Sequence, residues 1–96
     1  MALFVMTCLD QPGGLENRLK HRPAHIDYVA KFGDMIRVAG PVLDDAGDMA
    51  GSLFIVEAAD RAQVEAFSAQ DPFVLHGVFA SVQIRGFRRT LGPWGA

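Results

Sequence analysis

The chain reads as a single α+β domain with its elements in the order β-α-β-β-α-β, the split β-α-β arrangement with a four-stranded antiparallel sheet. Three observations carry that reading. Apolar stretches of strand length are separated by clusters of Gly, Pro and Asp, and the stretches between them switch to helical spacing. The first and third strand candidates are apolar in both alternating sets, as central strands are, whereas the second and fourth carry polar residues in one set, as edges do. A length of 96 residues leaves room for one domain, residues 1–96, and for no second lobe.

Ala2 to Leu9 forms the first strand, in which Leu3, Val5 and Leu9 alternate with Phe4, Met6 and Cys8 before the turn Asp10-Gln11-Pro12-Gly13-Gly14. From Leu15 to Phe32 the spacing is helical, with Leu15 and Leu19 one turn apart and Ile26, Val29 and Phe32 following at three-residue steps. Pro23 suits the first turn of a helix better than its interior, so this stretch is expected to be a short helix followed by a longer one. Gly33 and Asp34 end it. Ile36 to Leu43 is the second strand, with Ile36 and Val38 in phase against Arg37, and the acidic turn Asp44 to Asp48 joins it as a hairpin to Gly51–Glu57, the third. Asp60 with Gln63 three residues later has the spacing of a capping box, and Val64 and Phe67 form the inner face of the helix that follows. Asp71-Pro72 opens one further helical turn, closed near Gly77. Phe79 to Phe87 is the last strand, with Val82 and Ile84 opposite Ser81, Gln83 and Arg85, and residues 90–96, with their Gly92-Pro93-Trp94-Gly95, form an irregular tail that is flexible or packed on a partner.

Composition narrows the function. A net charge of -2 and a pI near 5.8 argue against nucleic acid and anionic membranes as partners. No apolar run approaches the roughly 20 residues of a membrane span, and the start lacks a secretory leader, which predicts a cytoplasmic protein. Cys8 stands alone in an apolar strand, where inert burial is expected rather than nucleophilic service. Half of the residues are hydrophobic, a large share for so small a domain to cover, so a homodimer is expected. The helices take one face of the sheet, and a second copy is the expected cover for the other.

The residues best suited to chemistry are His25 and Asp71. An imidazole titrates near neutrality, and a carboxylate within hydrogen-bond reach fixes its tautomer and raises its basicity. Each has a plainer reading. His25 shares a helix face with Tyr28, Val29 and Phe32 and could be buried neutral against one backbone carbonyl, and Asp71, just before Pro72, is placed to cap the short helix. Arg22 could hold an anionic substrate oxygen or be a solvated surface charge. Ser52 could hydrogen-bond a ligand, but no G-x-S-x-G elbow surrounds it. No metal site is expected from His21, His25 and His76, because the step from His21 to His25 crosses Pro23. Gly13-Gly14 lacks the lysine of a phosphate loop, and no cofactor is expected.

The motifs Arg22-Pro23-Ala24-His25, Ala39-Gly40-Pro41, Gly51-Ser52, Asp71-Pro72-Phe73, Gly77-Val78-Phe79 and Phe87-Arg88-Arg89, in this order over nearly the whole chain, resemble the YciI-like (YCII-related) family. The resemblance implies a ferredoxin-like fold, usually dimeric, with His25 and Asp71 lining an active-site cleft. It also implies a link to dehydrochlorination of chlorinated aromatic compounds in some members and to accessory roles in others. Two functions follow as expectations. One is an enzyme working without a cofactor by elimination, isomerisation or dehydrochlorination of a small polar or aromatic molecule, with His25 moving the proton, Asp71 orienting it, and Arg22 or Ser52 holding an oxygen. The other is a dimeric module that binds a metabolite without turning it over.

Overall fold

A computed structural model describes residues 1–93; Trp94, and with it the end of the tail, lies outside the described residues. The elements are β1 (Ala2–Asp10), α1 (Leu15–Ala30), β2 (Ile36–Leu43), β3 (Met49–Ala58), α2 (Arg61–Ala69), α3 (Pro72–Leu75) and β4 (Phe79–Phe87). The strands form one antiparallel sheet in the order β2-β3-β1-β4, so the two apolar strands are central and the two mixed ones are edges, as the sequence pattern required.

The helices cover one face of the sheet. Against them lie Met6 and Cys8 of β1, Phe54, Val56 and Ala58 of β3, and Ile84 of β4, all buried and closed over by Val64 and Phe67 of α2. Asp60 caps α2 by accepting the Gln63 N–H at 2.9 Å, while Gln63 Oε1 reaches back to the Ala59 N–H at 2.8 Å, a capping box displaced by one residue. The opposite sheet face carries Leu3, Val5, Leu53 and Ile55, which are partly exposed, and Leu9 and Phe87, which are exposed.

Two local features depart from the sequence pattern. The helix does not break at Pro23: α1 runs without interruption from Leu15 to Ala30. The missing N–H deprives the Leu19 carbonyl of its helical partner, but Leu19 and Pro23 lie on the exposed side, open to solvent, and the buried side of the helix is pinned by packing. In β2 the register slips between Ile36 and Val38: Ile36 pairs with Val56 and Val38 with Ile55, leaving Arg37 as the extra residue of a bulge. Ile36 and Val38 therefore face opposite sides of the sheet rather than the same side. The slip turns Ala39 and Pro41, which pair with Phe54 and Ser52, toward the helix layer. Gly51 is required where β3 meets β1, since a Cβ there would stand 2.3 Å from the Cys8 carbonyl oxygen.

Candidate active site

Between α1, the bulged edge of β2 and the first residues of β3 lies a cavity of about 140 Å³. Its apolar walls come from Ile26, Val29, Ala39, Pro41 and Phe54, and its polar groups are Arg18, Arg22, His25 and Ser52. His25 is brought there by its place on the inner face of α1, and Ser52 by the pairing of the start of β3 with the end of β1, where it lies opposite Cys8.

Asp71 approaches from the far side of His25. Its Oδ1 accepts the Phe73 N–H at 2.9 Å as the N-cap of α3 and also lies 2.7 Å from Nδ1 of His25. The capping role and the imidazole contact, which the sequence left as alternatives, are thus held by one oxygen. A carboxylate accepts, so the proton of the neutral imidazole sits on Nδ1 and leaves Nε2 as the free nitrogen. Both side chains are at least nine-tenths buried, which keeps water from competing for this bond. The imidazole is further held by Phe73, whose ring stacks on it at 3.9 Å and within 10° of parallel, and by the edge of Phe54. Asp71 Oδ2 is buried without a partner.

Arg18 is the residue that the sequence pattern did not reveal. Only 2 % of it is exposed, and its guanidinium donates to Asp10 at 2.9 Å and to the Ser52 hydroxyl at 2.7 Å while lying 4.7 Å from the centre of the Phe73 ring. Its Nε has no partner. The residue read as the opening of the first turn, Asp10, is instead the last residue of β1 and the counter-ion of Arg18. Burial pushes its carboxyl above the ordinary range, and the Arg18 charge pulls it back down. Arg18 and His25 are seven residues apart, two turns of one helix face, and that signal becomes readable once α1 is continuous through Pro23. Arg22 lies between them, exposed at the mouth of the cavity.

The remaining candidates are accounted for by packing. Cys8 is fully buried and its thiol is pushed up to about 12, chiefly by burial and then by the Asp71 charge, so it stays protonated. The rings of His21 and His76 stack at 4.0 Å on the outer surface, away from the inward-facing His25. Among the described residues, no group of three or more His, Cys, Asp or Glu stands close enough to hold a metal, and no helix is long and apolar enough to cross a membrane.

The class that the fold and site define is a small α+β domain with a four-stranded antiparallel sheet, helices on one face, and a buried His-carboxylate pair beside a cavity. Residues 2–88 match the sequence model of the YCII-related domain, and the chain belongs to that family. It is 32% identical over 95 residues to the protein YciI of Escherichia coli, an alignment covering 91% of this chain and 97% of that protein. Among solved structures it resembles the 5-chloro-2-hydroxyhydroquinone dehydrochlorinase of Burkholderia phenoliruptrix in complex with 2,5-dihydroxybenzoquinone, at 33% identity and TM-score 0.85 over 92% of this chain and 95% of that one. A putative antibiotic biosynthesis monooxygenase of Bacteroides thetaiotaomicron shares the fold at TM-score 0.60 and 13% identity, covering 99% of this chain and 92% of that one.

Proposed function

We propose that the chain is an acid-base enzyme acting on a small single-ring molecule that carries an ionisable oxygen. The observation that carries this is the buried 2.7 Å contact between His25 Nδ1 and Asp71 Oδ1 beside a walled cavity. In this reading Nε2 of His25 takes a proton from the substrate, Asp71 holds the ring in the required tautomer, and Arg18 with Ser52 holds the oxygen on which negative charge collects. Arg22 attracts the anion at the mouth. A cavity of about 150 Å³ admits one benzene ring, so the space of about 140 Å³ fits a single ring. Loss of a proton and of a leaving group from such a ring is an elimination, and the resemblance to a dehydrochlorinase supports that class. The test is turnover of chlorinated hydroxyhydroquinones, followed by chloride release: His25→Gln should slow release by about 10²–10⁴-fold while retaining product binding, and binding without release in the wild type would make the chain a metabolite-binding module.

The same proposal includes a homodimer closed through the outer sheet face, where a second copy covers Leu3, Val5, Leu53 and Ile55. Sedimentation should give a dimer that Ile55→Lys dissociates; a wild-type monomer removes this part. A buried free thiol at Cys8 fits action in the reducing cytoplasm.

A further inference from the structure

The cavity is open on one side. Its floor is buried, formed by Arg18, His25, Ser52 and Phe54. Its mouth is exposed, with Arg22 and Ile26 of α1 on one side and Ala39, Gly40 and Pro41 of the edge strand β2 on the other. A second, shallower hollow adjoins the mouth, bordered by Leu19, Arg22, Pro23, Ile26 and Asp27. Arg22 and Ile26 border both spaces, so the hollow starts at the lip of the cavity and continues round the outside of α1. Leu19, Pro23 and Ile26 stand at i, i+4 and i+7, a single stripe of the helix surface. Leu19 is 51 % and Ile26 47 % exposed. A lone exposed apolar residue is ordinary, but a stripe of them running out of a cavity mouth offers a shelf for an apolar group. Arg22 is the exposed charge of the mouth and forms no ion pair among the described residues, whereas Asp27 borders only the outer hollow.

We propose that the ligand is a ring bearing a short apolar arm that ends in an anionic group. The ring fills the cavity with its oxygen toward Ser52, the arm leaves through the mouth and lies on the shelf of Leu19, Pro23 and Ile26, and the anionic end pairs with Arg22. A hydroxyphenyl alkanoate is the class of molecule that matches. The shelf explains why α1 leaves Leu19 and Ile26 in solvent at this point, and it gives Arg22 a fixed partner in place of a general attraction for anions. Because the shelf covers one side of the arm only, each methylene group on it adds less than full burial would. The ion pair lies at the surface, so its effect is small and sensitive to salt. This inference rests on the ring-binding site proposed above.

Affinities of para-substituted phenols for the intact protein, measured by ligand-observed NMR titration, test it. 4-Methylphenol reads the ring site alone. 4-Ethylphenol and 4-propylphenol should each bind about twofold tighter than the one before, half of the roughly fourfold that full burial of a methylene gives. Leu19→Ser, an exposed position outside the cavity, should flatten that series and leave 4-methylphenol binding as it is. For 3-(4-hydroxyphenyl)propanoate, the loss of affinity in Arg22→Gln should exceed the loss for 4-propylphenol by about two- to fivefold, and raised salt should erase the excess. An alkyl series that is flat in the wild type, or that rises equally in Leu19→Ser, overturns the shelf and leaves the ring site standing. Equal losses of the propanoate and 4-propylphenol in Arg22→Gln overturn the anionic end. If Leu19→Ser dissociates a wild-type oligomer in sedimentation, the stripe is a subunit contact and the shelf is overturned as well. No binding of 4-methylphenol at millimolar concentration removes the ring site, and the shelf with it.

Discussion

Helix α1 meets the sheet in two quite different ways along its length. Toward its C-terminal end, Tyr28 and Phe32 join Phe67 of α2 and Phe54 of β3 in an aromatic cluster with ring centres 4.8–5.8 Å apart, backed by Val56, Ala58 and Val64. In its first turn and past its middle the same face presents Arg18 and His25, which bury themselves against Asp10, Ser52 and Asp71 and leave Asp10 Oδ2, Arg18 Nε and Asp71 Oδ2 without partners. The aromatic end is what a small domain needs for stability. The polar end costs stability, since each buried charge gives up its hydration and the network is incompletely satisfied. In the function proposed here that cost is borne for a ligand, because the cluster lies beside the cavity.

The largest difference between the two ends should appear in turnover. His25→Gln is expected to lower kcat by about 10²–10⁴-fold in the folded fraction, the usual span of general acid-base assistance. Phe67→Ala should do the reverse, costing about 3–5 kcal/mol in denaturant melts while leaving the activity of the folded fraction intact. Arg18→Met is expected to cost a similar ~3–5 kcal/mol, because it strands the Asp10 carboxylate in the interior. Adding Asp10→Leu should recover most of that loss or exceed it, and the double variant should be stable yet unable to hold an anionic ring, as equilibrium dialysis would reveal. If the double variant binds as well as the wild type, the polar end is not a site. Tyr28→Phe, which removes only the 2.8 Å bond to the Phe67 carbonyl, should cost about 1 kcal/mol and no activity.

The smallest effect concerns acid stability. His21 is lowered from 6.5, first by partial desolvation and then by the neighbouring His76 and Lys20. As pH falls below 6.5 the unfolded chain takes up this proton before the folded one does, so stability is full above that point and declines toward the lower folded value. His21→Asn should flatten that decline in Tm measured against pH.

Much of the architecture was legible because it is written in local signals. Alternation in β1 and β3, the acidic hairpin turn and the Asp60 and Asp71 caps each depend on residues within a few positions of one another. What was not legible required knowledge of packing. Pro23 argues for a helix break on its own, whereas α1 runs through it with Arg18 and His25 buried on either side and Tyr28 and Val29 packed on the core. Splitting the helix there hid the two-turn spacing that makes Arg18 a neighbour of His25. The bulge at Arg37 gives no local sequence signal, yet it decides that Ala39 and Pro41 rather than Val38 line the cavity. Asp10, flanked by Gln11 and Pro12, looks like a turn residue until its partner on α1 is known. His25, Asp71, Ser52 and Arg22 were all reachable from the sequence, and the structure brings His25, Ser52 and Arg22 around one cavity, with Arg22 at its rim and Asp71 behind His25.

The central claim is that Asp71 fixes His25 with Nδ1 protonated and Nε2 free to take a proton. Two-bond ¹H–¹⁵N NMR at neutral pH reads it directly, in the wild type and in Asp71→Asn, which keeps an oxygen for the α3 cap but removes the charge. The account predicts the Nδ1–H tautomer for His25, with a far-downfield Nδ1 proton that moves upfield in Asp71→Asn, while His21 and His76 stay unchanged. A His25 protonated on Nε2, or an Nδ1 proton at the same position in both proteins, would contradict it and reduce Asp71 to a helix cap.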